Sequence, residues 1–382
     1  MAVWKRLCER RGAVAIMIGL AMVVFLALTA LAIDIGFGLV TKNELHNVAD
    51  AAALAGTRKL GKIYEALSVD AQQTYVLNTT DRTAIVTAVQ TVAGQNHAAG
   101  VAISIDAADI RIGQWNATSR TLTVTNNQPD AVEVTARRDA TANGPIATFF
   151  ATIMGINSLN VTSTSQRVGG AWTGGEQPTA ALTGVGQVAP GVLDVPVGIS
   201  KEWFENKAVF CGQPIHFSPT NSPEGCAGWH TFFNNANANN LRNIIDGLNN
   251  GSYTSPGATA GETQFNFTGG QVANAFTNFK NLYDAKKNPV TGEWETFVVV
   301  YDRDDCSNPN QAITIVGFAK VTITAVCNPP GNPCPPPPIV PDPVTNGEKR
   351  IQGKVECDIV EQNTRGGGAN YGVKGSIPGL VK

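Results

Sequence analysis

The chain has 382 residues, a formal net charge of −2 and only 15% charged side chains, so it carries no field able to recruit nucleic acid or an acidic polymer, and nucleic acid is excluded as a partner. The length accommodates two domains, each large enough to bury its own core. With 39 glycines, 21 prolines and 7% aromatic residues, many turns and long surface connections are expected around a mixed α+β body.

Residues 1–12 form a basic segment in which Lys5, Arg6, Arg10 and Arg11 outweigh the single acid Glu9. From Ala13 to Ile33 there follow 21 residues without a charge. As a helix rising about 1.5 Å per residue, this run reaches roughly 30 Å, the thickness of a bilayer's hydrocarbon core. It also satisfies its own backbone hydrogen bonds, as lipid demands. The basic flank keeps residues 1–12 cytoplasmic and sends everything after Asp34 to the other side. The alternative is a removed signal peptide ending at Ala30-Leu31-Ala32, whose cleavage after Ala32 would free a secreted or surface binding protein. Against it, the apolar run exceeds the usual h-region of about 7–15 residues.

Residues 36–60 read as a helix with Ala49 and Ala53, and Ala52 and Gly56, spaced four apart on one face. Such small side chains let another backbone approach closely, either within the same domain or from another chain. A second helical stretch is expected from Asp70 to Gln95. The pattern then alternates through Val101–Ile105, Ile110–Trp115, Arg120–Thr125 and Ala131–Arg137, which predicts a meander. A short apolar helix from Ile146 to Met154 and strand character from Ser158 to Arg167 complete a first exterior α+β domain, residues 34–168. The glycine-rich stretch 169–190 reads as an exposed linker. Residues 191–362 read as a second, β-rich domain with a helix from Leu241 to Leu248, strands Phe297–Tyr301 and Ala312–Val326, and a returning strand Arg350–Val360. The proline-rich run 327–343 is expected to be a stiff insertion between strands, and residues 363–382 a flexible tail.

Cys8 falls on the cytoplasmic side, whereas Cys211, Cys226, Cys306, Cys327, Cys334 and Cys357 fall beyond the membrane. An even number in an oxidising compartment is consistent with disulfides, with the connectivity left open. Cys211, His216, Cys226 and His230 lack zinc-finger spacing. Asp302, Asp304 and Asp305 lack the glycine and distal glutamate of a calcium loop. No Gly-x-Ser-x-Gly, His-Glu-x-x-His or phosphate-loop pattern is present. No enzyme, cofactor or metal is therefore expected.

The segments RRGAVAIMIGLAMVVFLALTALAIDIG and KNELHNVADAAALAG resemble the N-terminal signature of the TadE/TadG-like proteins of tight-adherence (Flp) pilus assembly, most closely the TadG group. Further on, IRIGQWN, AVEVTARRD and GPIATFFATIMG resemble that group in the same order. The resemblance implies a single-pass protein of the bacterial inner membrane, N-terminus cytoplasmic and bulk periplasmic. It further implies a structural role with pilus or secretion-apparatus proteins as partners, and leaves the oligomeric state open. Two departures qualify it. After Gly12 come Ala13, Val14, Ala15, Ile16 and Met17, without the glutamate that prepilin peptidase reads. After the strand FVVVY comes Asp302-Arg303-Asp304-Asp305-Cys306, which lacks the serines of a von Willebrand A metal site.

Overall fold

The computed structural model describes residues 2–168, 171–174, 177–206, 211–217, 226–270, 272–307, 309–331 and 349–382. The fold is α+β. Among the described residues the α-helices are α1 (Ala2–Glu65), α2 (Val69–Gln73), α3 (Thr79–Gly94), α4 (Ala238–Asn250) and α5 (Ala273–Lys286). The first principal strands are β1 (Ile110–Asn116), β2 (Thr121–Val124), β3 (Ala131–Val134), β4 (Thr179–Ala181), β5 (Gln187–Val188), β6 (Val197–Ser200), β7 (Pro214–Phe217) and β8 (Ala227–His230). The remainder are β9 (Ala258–Thr259), β10 (Gln264–Thr268), β11 (Trp294–Tyr301), β12 (Ala312–Cys327), β13 (Arg350–Val355), β14 (Ile359–Arg365), β15 (Val373–Ile377) and β16 (Gly379–Leu380).

Helix α1 runs unbroken for 64 residues, roughly 95 Å at 1.5 Å per residue. Its last third carries Leu45, Val48, Ala49, Ala52, Ala53, Leu60 and Tyr64, all buried in one core with Ile85, Val89 and Ala93 of α3 and Ile110, Ile112 and Val132 of the first sheet. Full burial of each large aliphatic member contributes about 1.5–3 kcal/mol. The helical stretch expected from Asp70 to Gln95 is split. Between α2 and α3 the chain is drawn out by Leu77 N–H donating to Asn126 O at 2.8 Å and Gln128 N–H donating to Tyr75 O at 2.9 Å. Asn78 then caps α3 by accepting from Asp81 N at 2.9 Å, which satisfies one orphan donor of the new helix.

The first sheet has the strand order β16-β4-β3-β1-β2. The expected meander is therefore corrected. β2 returns beside β1 as a hairpin, but β3 crosses to the opposite edge of β1, pairing Ile112 with Val132. Alternating residues state which face a strand buries and do not state which neighbour it takes.

The second body is built on the order β7-β13-β12-β10-β8-β6-β11, with β11 also paired to β12. That last pairing closes five strands into a ring. Strand β12 serves both rims, facing β11 through Val299 and Phe318 and β13 through Cys327 and Arg350. The second pair brings together the two ends of the proline-rich segment, of which residues 332–348 lie outside the described residues. Helix α5, unexpected from sequence, covers the ring with Phe276 and Phe279 edge-to-face against Trp229 at 5.3 and 5.6 Å.

Two expectations for the connecting regions are overturned. Residues 177–190 are not a free linker, since they contain β4, held between β16 and β3 in the first sheet, and β5 in a four-stranded sheet of order β9-β5-β14-β15. Residues 363–382 are not a loose tail either. β15 runs parallel to β14, and β16 pairs with β4 through Leu380 and Ala180. The two glycine-rich stretches interleave: a Cβ on Gly186 would stand 2.7 Å from the Gly368 amide nitrogen, and one on Gly366 would stand 2.7 Å from Thr183 Oγ1. Glycine serves close backbone approach there.

Candidate functional site

The residues with the clearest arrangement for a purpose lie where α1 leaves its apolar stretch. Val14 to Ile33 is an exposed apolar rod, and the helix is long and apolar enough to cross a membrane. Asp34 follows at once and is only 3% exposed. Its Oδ1 accepts from Phe149 N at 2.7 Å, and its Oδ2 accepts from Phe150 N at 3.0 Å and Ala151 N at 2.6 Å. These are the leading amides of a single 3-10 turn, Ala151–Met154. A carboxylate held by three N–H groups at such a terminus forms charge-assisted hydrogen bonds.

The segment expected to be an apolar helix, Ile146 to Met154, is instead a two-stranded ribbon (Ile146–Ala147 with Ser158–Leu159) enclosing that turn. Ile153 N–H donates to Phe150 O at 3.0 Å and Ile156 N–H to Ala151 O at 3.0 Å. Gly155 closes the turn at φ 83°, in the left-handed region. Phe149 also packs edge-to-face on Phe37 of α1, ring centroids 5.4 Å apart.

About three turns further along α1 the first unit is fastened again. Glu44 Oε2 accepts from Ala99 N at 2.7 Å. His46 Nδ1 donates to Ser163 O at 3.3 Å, the carbonyl being able only to accept, which leaves Nε2 facing Asp50 at 3.8 Å. Burial pushes the Asp50 carboxyl above its ordinary range, opposed by His46.

The small-residue stripe is fully enclosed. Ala49, Ala52 and Ala53 are buried, and a Cβ on Gly56 would meet Val89 Cγ2 at 2.6 Å and Val132 Cγ1 at 3.2 Å. The stripe is thus occupied by α3 and the first sheet of its own chain. Lys5, Arg6, Arg10, Arg11 and Ala13 fall within α1, with side chains outside the described part of the structure, and Ile33 is exposed immediately before Asp34.

Cys211 is joined to Cys357 and Cys226 to Cys306, with Cα separations of 5.4 and 4.1 Å. Cys327 is also disulfide-bonded, and Cys334 lies outside the described residues. The sulfurs of Cys211 and Cys226 are therefore committed to bonds and unavailable as thiolate ligands. The acidic loop is likewise occupied. Lys201 Nζ bridges Asp302 at 2.6 Å and Asp304 at 2.8 Å, and Arg303 grips Asp305 at 3.0 Å. Among the described residues no group of three or more His, Cys, Asp or Glu is arranged to hold a metal. In a cleft lined by Tyr64, Trp115 and Asn370, the charged groups Asp130 and Lys374 satisfy one another at 2.8 Å.

Sequence reasoning placed the start of the exterior region at Asp34 and missed its bond to the loop 115–117 residues downstream. The available signal was a stretch of apolar residues, Phe149 to Ile156, too short for a core helix and broken by Gly155.

Residues 12–90 match the family model for Flp pilus-assembly TadE/G-like proteins. The matched stretch contains the apolar run, Asp34, the small-residue face and most of α3. Neither the curated proteins nor the solved structures contain a match to the chain.

Proposed function

We propose that this protein is a structural and assembly component of tight-adherence (Flp-type) pili, of the TadG kind, anchored in the bacterial inner membrane by residues 13–33. In this reading its N-terminus is cytoplasmic and its body periplasmic, where it binds pilus or secretion-apparatus proteins. The observation that carries the reading is the unbroken α1, which is at once the apolar rod and the central buried helix of the first exterior unit. A helix used in both ways fixes the body to the membrane without a flexible joint. The family match over residues 12–90 supports a part in Flp pilus assembly, and the description of that family names assembly and no reaction.

The domain division supported by this geometry differs from a string of beads. A membrane-proximal unit built on α1, α3 and the first sheet carries a distal unit built on the β-ring, and β14 to β16 lock the two together. Gln72 shows the lock: its Nε2 donates to Tyr64 O at 3.0 Å while its Oε1 accepts from Val360 N at 2.7 Å.

The test is deletion of the gene in its own host, with complementation by the full chain and by a version lacking residues 1–32 behind a cleavable leader. Loss of surface pili, rescued only by the membrane-held form, is the expected result. Rescue by the released form, or normal piliation without the gene, would refute the anchored assembly role.

A further inference from the structure

The turn bound to Asp34 presents its apolar side chains outward. Phe149 is 61% exposed, Ile153 86% and Met154 75%, with Phe150 and Ile156 exposed beside them. A monomeric exterior domain has no reason to gather such residues at one tip. Their position supplies the reason. The tip is fastened by three hydrogen bonds to the first residue after the apolar run, so it lies level with the point where α1 leaves the hydrocarbon core.

Two further observations agree. The exposed apolar surface of α1 does not stop at Asp34 but continues through Leu39 and Val40. The carboxylate that interrupts the run is buried under the loop and not presented to lipid. The segment 140–166, which contains the tip, carries no charged residue. Uncharged, apolar and continuous with the rod, the tip has the character of an interfacial element.

We propose that residues 149–156 form a second membrane contact, in which Phe149, Ile153 and Met154 enter the headgroup and upper acyl region of the leaflet facing the body. The occupant of this apolar tip is the phospholipid bilayer itself. With the α1 span it gives the first unit two points of attachment, which fixes rotation about the helix axis as well as height. The inference rests on the reading of residues 13–33 as a membrane span.

The test uses the full chain carrying Cys8→Ser, reconstituted into vesicles of phosphatidylethanolamine and phosphatidylglycerol. Bimane is attached at Ile153→Cys, at Met154→Cys, at Leu26→Cys in mid-span, or at Val290→Cys, a site 90% exposed in the body. Phospholipids bearing a nitroxide near the top of the acyl chain are expected to quench positions 153 and 154 strongly and to leave 290 bright. Positions 153 and 154 as bright as 290, with 26 quenched by deep nitroxides, would overturn the proposal and leave the span intact. An unquenched position 26 would remove the span and the proposal together. Cross-linking of position 153 between copies without nitroxide quenching would overturn it in favour of self-association.

Discussion

Asp34 and Ala151 stand 117 residues apart in sequence, yet the carboxylate Oδ2 of the first accepts the amide of the second at 2.6 Å. The only charge between Arg11 and Lys42 is thereby turned inward. The same contact converts the end of the apolar stretch of α1 into the foundation of a folded unit.

Replacing Asp34 with alanine takes the acceptor from three amides, of which that of Ala151 is buried. Loss of a charge-assisted set at this site is expected to destabilise the turn by about 1.5–3 kcal/mol. The amides of Phe149, Phe150 and Ala151 should lose hydrogen-exchange protection while those of α3 keep theirs. Unchanged protection at the three amides would contradict the clasp.

Gly56→Ala places a methyl group against Val89 and Val132. Overpacking of this kind costs about 1–3 kcal/mol, of which better helix propensity returns roughly 1 kcal/mol. A net loss is expected in thermal unfolding of the full chain in detergent. If the stripe instead met another chain, the variant would change association and leave monomer stability alone.

The Cys211–Cys357 bond closes 146 residues of chain and ties the start of β7 to the turn before β14. Changing both cysteines to serine is expected to lower the stability of the distal unit by about 2–5 kcal/mol, read as a shifted urea midpoint. The protection of α1 against α3 should persist.

His230 sits on β8 amid Phe232, Phe265 and Phe267, with neither ring nitrogen bonded among the described residues. Burial lowers its pKa to about 3. The folded state therefore keeps it neutral, whereas the unfolded chain takes up a proton below about pH 6.5. Stability contributed in this way is full above pH 6.5 and declines as pH falls towards 3, with about 2 kcal/mol gone by pH 5. His230→Leu should flatten that acid slope in equilibrium unfolding. An identical slope in the variant would assign it to other groups.

The sequence made the buried face of α1 legible because Leu45, Val48, Ala49, Ala52 and Ala53 repeat at helical spacing. The long strands β11 and β12 were legible for the same kind of reason, being β-branched and apolar. Helix α5 was missed although Phe276, Phe279, Leu282 and Tyr283 follow helical spacing, because its asparagines and the absence of a side-chain cap mask the start. The stretches around Gly184 and Gly366 were misread because glycine signals either looseness or close packing, and only the partner strand distinguishes them. The Asp34 clasp joins sites too far apart for any local pattern to reveal.

Strand β16 reaches back from residues 379–380 to the edge of β4. The first sheet therefore lacks an edge strand until residues 379–380 have been made and have reached β4. Folding cannot be completed unit by unit in chain order, as it is in many multidomain chains. Until then the flank of β4 is an unpaired strand edge, the kind of surface on which chains associate wrongly.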